Sequence, residues 1–324
     1  MTTTSRATAL PLLAAGVTML LWASAFIVIR SAGTEFGPGS LAFGRLLTGT
    51  LALTAVALVR RPRLPRGRPL ALVIGYGVLW FGIYAVMVNA AETHLDAGTT
   101  ALVVNVGPIL IAVLAGLYLG EGFPRPLLAG LAVAFVGVAV IAIATSTGRH
   151  DSAGVLFALA AAALYAVGVL LQKQALVTVD PFTATWLGCA AGAAACLPWA
   201  GDLLGDLSTA SSGATLGLIY LGLFPTAIAF ATWAYALRRM DAGRLSVSSY
   251  LVPMFTVLLS WAALGEVPTA LALGGGALCL LGVAVTRLPS PGRKDAGLAA
   301  GAALEGDQPH DDRGAPRREG SDVR

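Results

Sequence analysis

Residues 96–140 read DAGTTALVVNVGPILIAVLAGLYLGEGFPRPLLAGLAVAFVGVAV, and residues 241–285 read DAGRLSVSSYLVPMFTVLLSWAALGEVPTALALGGGALCLLGVAV. The two stretches lie 145 positions apart and share 15 identities over 45 positions without a gap. Matches among Ala, Leu, Gly and Val arise easily by chance, but the shared positions include an Asp, a Pro and a Gly-Glu pair. The pattern therefore indicates a tandem duplication of one structural unit.

The duplication extends toward the N-terminus with a slightly different spacing. Trp22 matches Tyr165 and Pro38 matches Pro181, each at an offset of 143 residues. The two-residue difference between the offsets is what an insertion in a loop would produce. Each copy is therefore predicted to contain the same series of elements.

The composition indicates a membrane protein. Hydrophobic residues make up 56% of the 324 positions and charged residues only 12%, a balance that no soluble domain could hide from water. The net charge of +4 could suggest nucleic acid, but the charges concentrate between the apolar segments and at the C-terminus, so no nucleic-acid partner is expected. The three cysteines lie in apolar runs and are interpreted as small buried hydrophobic residues.

A membrane-spanning helix needs about 20 mainly apolar residues. Ten segments meet this requirement: 10–29, 39–59, 70–90, 98–119, 126–145, 154–172, 182–199, 214–237, 242–264 and 270–287. The predicted fold is an all-α membrane protein with ten transmembrane helices in two five-helix repeats. Because each repeat crosses the membrane an odd number of times, the second repeat is inverted in the membrane relative to the first. The predicted parts are an N-terminus (1–9), two repeats (10–145 and 154–287) and a disordered tail (288–324).

The basic residues predict the orientation of the helices in the membrane. With the N-terminus inside, 14 Lys and Arg side chains near the helix ends fall on the cytoplasmic side and only Arg30 and Arg149 on the other. This bias places both termini and the tail in the cytoplasm. The apolar run 10–29 is long enough to span and has a counterpart in the second repeat, so it is interpreted as a helix and not as a cleaved signal.

No constellation of catalytic residues is visible in the chain. The three histidines, His94, His150 and His310, all fall outside the predicted spans, and no acidic residue lies in the middle third of one. The chain also lacks metal-protease and nucleotide-binding motifs. We therefore expect no enzyme activity, no cofactor and no metal site, but transport without covalent chemistry.

Three charged residues are candidates for a structural or coupling role, because charges at membrane depth are costly and often functional. Arg45 lies about two turns into the second helix, where it could be an anchor paired with a carbonyl or a contact for substrate. Glu121 and its copy Glu266 lie at the ends of the fourth and ninth helices. The favoured interpretation is that each Glu ends its helix and fixes the turn to the neighbouring helix. Ion coupling is the alternative.

Prolines and small residues predict breaks and close contacts between helices. Pro108 and Pro253 are expected in mid-helix and Pro225 interrupts the eighth helix, so all three are candidate hinges. Ala112, Gly116 and Gly120 on the fourth helix, and the run 274–276 with Gly282 on the tenth, would allow backbones to approach closely.

These residues resemble the EamA-type branch of the drug/metabolite transporter superfamily over residues 10–287. The resemblance rests on Trp22 in LLWASAF, Arg45 in LAFGRLL and the two helices in which Glu follows Pro by 13 residues. It implies a secondary carrier in the cytoplasmic membrane of a bacterium that moves small metabolites, often outward, by alternating access. One departure is that the first repeat has Arg45 where the second has Gly188.

Mapped onto this chain, the resemblance implies a central cavity that binds the substrate. Aromatic and polar side chains within the spans support it, since they are the groups that bind organic molecules. The predicted substrate-binding residues are Trp22, Trp80, Tyr84, Asn105, Tyr165, Trp233, Ser249 and Tyr250.

The sequence thus predicts a membrane transporter, acting as an exporter or exchanger, with a small-molecule substrate and the lipid bilayer as its partners. A homodimer is left open. The alternative hypothesis is a membrane receptor or scaffold that transports nothing, which would have a dry, apolar interior.

Overall fold

The computed structural model describes residues 3–95, 100, 103–145, 151–264, 269–286 and 288, and these belong to one compact unit. Glu266, the start of the first repeated stretch at 96–99 and the predicted tail beyond Leu288 lie outside the described residues.

The first repeat consists of helices joined by short connections. Its helices are α1 (Thr3–Ala32), α2 (Pro38–Arg60), α3 (Arg68–Tyr76), α4 (Tyr84–His94), α5 (Gly107–Tyr118) and α6 (Arg125–Thr145). A π-helical segment, Gly77–Ile83, joins α3 to α4, so that the two helices form one continuous span from Arg68 to His94.

The second repeat follows a similar order of elements, with an additional helix after its second one. Its helices are α7 (Ser152–Ala175), α8 (Pro181–Ala195), α9 (Ala200–Thr209), α10 (Ser212–Leu221), α11 (Ala229–Arg239), α12 (Ala242–Ser246), α13 (Leu251–Leu264) and α14 (Ala270–Val285). A second π-helical segment, Gly222–Ile228, joins α10 to α11, and a 3₁₀ turn, Val247–Tyr250, separates α12 from α13.

The helix bounds reproduce the offsets found in the sequence. Both π-helical segments are seven residues long and lie 145 positions apart. The helices that follow them, α4 and α11, match at both ends with the same offset. The duplication is therefore one of three-dimensional structure as well as of sequence.

Seven helices of the described chain are long and apolar enough to cross a membrane, or eight if the bent pair α8 and α9 counts as one span. The described parts of the predicted fourth and tenth spans, α5 and α14, are shorter apolar helices of 12 and 16 residues. An all-helical multi-span protein is thus observed, whereas the count of ten spans stays a prediction.

Two predicted helix ends were wrong. The third span continues to His94 instead of ending at residue 90. After α8 the chain passes through a 3₁₀ turn, Leu197–Trp199, and bends by 59° into α9, a helix that was not predicted.

The two repeat-mate prolines lie near the start of regular helix. Pro108 is the second residue of α5 instead of a mid-helix residue, and in a first helical turn the missing N–H has no intrahelical partner to lose. Pro253 is the third residue of α13 and directly follows the 3₁₀ turn, but it lies inside a span that runs from Ala242 to Leu259. Pro225 does lie inside a helical segment. The hinge role of all three stays a prediction.

The last helices of the two repeats, α6 and α14, cross each other through paired glycines. A Cβ atom on Gly137 would lie 2.7 Å from the carbonyl oxygen of Gly275, and one on Gly130 would lie 2.6 Å from that of Gly282. Gly130 and Gly137 are the repeat mates of Gly275 and Gly282, so the crossing is symmetric. Contact at backbone distance leaves no room for side chains.

Gly116 and Gly120 behave differently from the sequence prediction. A Cβ atom on Gly116 would meet the ring of Phe123, and Gly120 has a φ of +69° and no neighbour within 4 Å. Gly120 therefore allows the left-handed turn that follows α5 and does not pack against another backbone.

We expect Gly275→Ala to lower the unfolding free energy by about 1–3 kcal/mol, the usual cost of overpacking. The matched control is Gly274→Ala, because a Cβ atom there meets nothing within 4 Å and Ala is the better helix former. Thermal unfolding of the purified variants in one detergent measures both. Equal melting temperatures would contradict the glycine crossing.

Candidate functional site

The two π-helical segments bring the third span of each repeat against the second helix of the other repeat. A Cβ atom on Gly77 would lie 2.5 Å from the carbonyl oxygen of Gly188 on α8. Its repeat mate Gly222 would place a Cβ atom 2.7 Å from the carbonyl oxygen of Arg45 on α2. The repeats are therefore interlocked at mid-bundle, and Trp80 and Phe81 of the first π-helical segment face the space between them.

A cavity of about 150 Å³ occupies this space. Six of the eight predicted substrate-binding residues line it: Trp22, Trp80, Tyr84, Asn105, Tyr165 and Ser249. Phe26, Phe81 and Phe230 add further aromatic lining that the sequence did not single out.

The remaining two predicted residues do not line the cavity. Trp233 is fully buried behind it, with its ring centroid 5.2 Å from that of Trp22. Tyr250 is also fully buried, in a separate cluster that includes Ala112, Leu131 and Cys279. The sequence marked both as aromatic residues at membrane depth, but only packing decides which face each one occupies.

The aromatic rings of the wall contact one another across the repeat boundary. The ring centroid of Trp80 lies 5.2 Å from that of Tyr165 and 5.1 Å from that of Phe230. Tyr84 lies 6.0 Å from Tyr165 by the same measure. These separations are those of favourable edge-to-face and offset aromatic pairs, so the wall is held by ring contacts among residues distant in sequence.

Arg45 is anchored by the irregular helix of the opposite repeat. Pro225 has no N–H to donate to the carbonyl of Leu221, and the Thr226 hydroxyl donates to that oxygen instead, at 2.8 Å. The same hydroxyl accepts a hydrogen bond from Arg45 Nε at 3.1 Å. Arg45 thus pairs with a hydroxyl and not with a carbonyl, and its side chain lines the cavity.

Two polar residues of the cavity were missed from the sequence. Glu92 lines it on α4, beyond the residue at which the third span was predicted to end. Asn89 is 8% exposed and donates from Nδ2 to the Pro38 carbonyl at 2.8 Å. Glu92 lies two residues before the end of its span and not in its middle third, and a longer predicted third span would have included it.

Glu121 contacts the opposite repeat at one end of the bundle. Its carboxylate accepts from the backbone N–H groups of Ala242 at 2.7 Å and Gly243 at 2.9 Å, at the start of α12. Nearby, Lys173 Nζ donates to the Leu237 carbonyl at 2.7 Å and to that of Met240. Glu121 therefore joins the end of α5 to the other repeat and not to the next helix along the chain.

A second set of contacts joins the repeats at the opposite end, near the connection between α1 and α2. Glu35 accepts from the Ser211 backbone N–H at 2.6 Å and from its hydroxyl at 2.8 Å. Both hydrogen bonds lower the pKa of Glu35 below its ordinary value of 4.5, and the bond from the backbone N–H has the larger effect. Asp206 accepts from Gly37 N at 3.0 Å and from the Ser40 hydroxyl.

The model of the EamA-like transporter family matches the chain twice, over residues 9–143 and 152–288. The chain belongs to this family. EamA-family relatives cover most of its length. It is 34% identical to a probable terminal-alkyne amino-acid exporter of Streptantibioticus cattleyicolor, over 86% of this chain and 93% of that protein. It is 28% identical to a probable amino-acid metabolite efflux pump of Salmonella typhimurium, over 82% of this chain and 90% of that protein.

A solved crystal structure shares the fold. The two chains superpose with a TM-score of 0.71, over 88% of this chain and 98% of the other, at 24% sequence identity. The family match over both halves of the chain identifies a membrane transporter, and the structural similarity shows its fold.

We expect Thr226→Val to destabilise the protein, because it removes the hydroxyl that accepts from Arg45 Nε. A lost partner of this kind costs about 1–3 kcal/mol. Thr226→Ser keeps the hydroxyl and should stay near the wild-type melting temperature. If the valine and serine variants melt alike, the hydroxyl does not anchor Arg45.

The contact of Glu35 with Ser211 should depend on pH. Because the folded-state pKa is lowered, the stabilisation is complete above the ordinary value and is lost as the pH falls through the folded-state pKa. Glu35→Gln should therefore melt below the wild type at pH 7, and the difference should shrink under acid conditions below pH 4.5. A difference that does not change with pH would contradict this account.

Proposed function

We propose that the chain is a secondary transporter that exports small amino-acid-type metabolites by alternating access. The observation that carries the proposal is the cavity between the repeats, with an aromatic wall and a charged residue from each of α2 and α4. Such a cavity, mainly apolar with a few placed polar groups, is typical of a site for a small organic molecule.

The position of the cavity supports alternating access. Its lining runs from mid-bundle, at Trp22 and Tyr165, toward the end where α1 finishes, at Ile29, and where α4 finishes, at Glu92. At the other end, Glu121 holds α5 to α12. Polar contacts join the repeats at both ends, since Glu35 and Asp206 also join them at the end that the cavity approaches. A bounded site between two inverted repeats is the arrangement expected of a carrier that works by alternating access.

In the proposed orientation, ten spans form two inverted repeats in the cytoplasmic membrane of a bacterium, with both termini in the cytoplasm. The distribution of Lys and Arg supports this orientation. The Glu121 contact then lies on the cytoplasmic side and the cavity is directed outward.

The substrate class is supported by the relatives and by the cavity itself. The two relatives are named as carriers of a terminal-alkyne amino acid and of amino-acid metabolites. A volume of about 150 Å³ suits a small molecule, and aromatic walls suit an apolar side chain. L-Propargylglycine, a small amino acid that ends in an alkyne, combines these features and is a suitable first probe.

Export is tested by the flux of L-propargylglycine in proteoliposomes of the full chain. We expect saturable flux for the wild type, and a reduction of about tenfold or more for Tyr84→Ala, which corresponds to about 1.4 kcal/mol of lost binding. Tyr118→Ala is the control, because Tyr118 is 73% exposed on the outside of the bundle.

The two variants separate the hypotheses. Flux that survives Tyr84→Ala unchanged would contradict the cavity as the transport site. Absence of flux of any amino acid from a stable wild type would favour the receptor or scaffold hypothesis over transport.

A further inference from the structure

We infer that Arg45 and Glu92 bind the two opposite charges of a zwitterionic α-amino acid, with its carboxylate at Arg45 and its ammonium group at Glu92. The inference rests on the proposed function, since it specifies how the same cavity recognises its substrate. Arg45 and Glu92 would each bind one charged group of the same substrate, so each residue can be tested separately.

The two charged residues lie at different depths of the cavity. The connection between α2 and α3 is only seven residues long, and Asn89, near the end of α4, bonds to Pro38, the first residue of α2. The α3–α4 span therefore runs antiparallel to α2. Arg45 is seven residues after Pro38, and Glu92 is three residues after Asn89, so their backbones are separated by about 15 Å along the helices.

This separation leaves room for a dipolar molecule. No ion pair between Arg45 and Glu92 is found in the described part of the chain. The distance between the Arg45 and Glu92 backbones can be covered by five lengths in series. These are the two extended side chains, two hydrogen bonds of about 2.8 Å each and the short distance between the two charges of an α-amino acid. The site thus has two separate poles of opposite sign.

Arg45 is prepared to bind a carboxylate. Thr226 engages Nε, and in the described structure the two terminal nitrogens make no hydrogen bond. A guanidinium group held at one nitrogen offers the planar pair of donors that a carboxylate accepts. The neutral hydroxyl of Thr226 orients the guanidinium without cancelling its charge.

Glu92 supplies the opposite charge. It is partly buried in the cavity wall, and its carboxylate has no hydrogen-bond or ion-pair partner among the residues described. A charge in a poorly solvated site is costly unless another charge compensates it. A simple amine would compensate only Glu92 and a simple acid only Arg45, whereas a zwitterion compensates both.

The wall between the poles accommodates the side chain of the amino acid. Tyr84 lies on α4 between the levels of Arg45 and Glu92, and the rings of Trp22 and Phe81 line the same cavity. An apolar side chain would pack against these rings while the charged groups are held at each end.

Competition against radiolabelled L-propargylglycine, bound to the full chain in lipid nanodiscs, tests the inference. The competitors share its side chain: 4-pentynoate lacks the ammonium group, and but-3-yn-1-amine lacks the carboxylate. The wild type should prefer the amino acid over each by about tenfold or more, at least 1.4 kcal/mol per lost contact.

Two charge-neutralising variants assign the poles. Glu92→Gln should lose the preference over 4-pentynoate and keep that over the amine, and Arg45→Gln should show the reverse. These ratios do not depend on how much of a variant folds. Arg239→Gln, at an exposed residue that stacks on Tyr235, should keep the wild-type ratios.

The inference would be overturned if the wild type showed no saturable binding of L-propargylglycine, if it bound all three molecules equally, or if both variants kept its ratios. Failure of the transport proposal would look different. Binding with the expected ratios but no flux in proteoliposomes would contradict export and support the two-pole site.

Discussion

In each repeat, a glycine of the third span packs against the backbone of the second helix of the other repeat. The cavity between the repeats depends on these two contacts. Gly77 meets α8 and Gly222 meets α2, in both cases closer than any side chain would allow. A π-helical segment begins at each glycine. The wider turn alters the direction of the side chains that follow, so that Trp80, Phe81 and Thr226 come to lie at the boundary between the repeats.

The scaffold is symmetric, but the chemistry built on it is not. In one half Arg45 lies opposite a segment that contains Leu221 and Thr226. In the other half Gly188 occupies the position of Arg45, and the ring of Tyr76, the repeat mate of Leu221, fills the space above it. In both halves a large side chain therefore fills the space between the third span of one repeat and the second helix of the other: Arg45 in one half and the ring of Tyr76 in the other. A cation is left at only one of the two equivalent places.

Most of the framework could be predicted because it depends on local sequence. Apolar length predicts where helices can span, and the aligned Asp, Pro and Gly-Glu positions reveal the duplication. Close packing of α14 was anticipated from Gly275 and Gly282, since small residues at helical spacing allow backbones to touch, but α6 was not predicted as its partner. Errors occurred at helix ends, where a few residues change the assignment. The third span ends at His94, and for this reason Glu92 belongs to the cavity.

The sequence by itself determined that this chain is helical, lies in a membrane and contains two copies of one unit, because composition and periodicity carry that information. Only the tertiary structure decided which residues share the cavity. Trp22 and Tyr250 are both aromatic residues at membrane depth, yet one lines the cavity and the other is buried in a separate cluster. The face that a helix turns inward depends on contacts with the opposite repeat, more than a hundred residues away. No local pattern encodes those contacts.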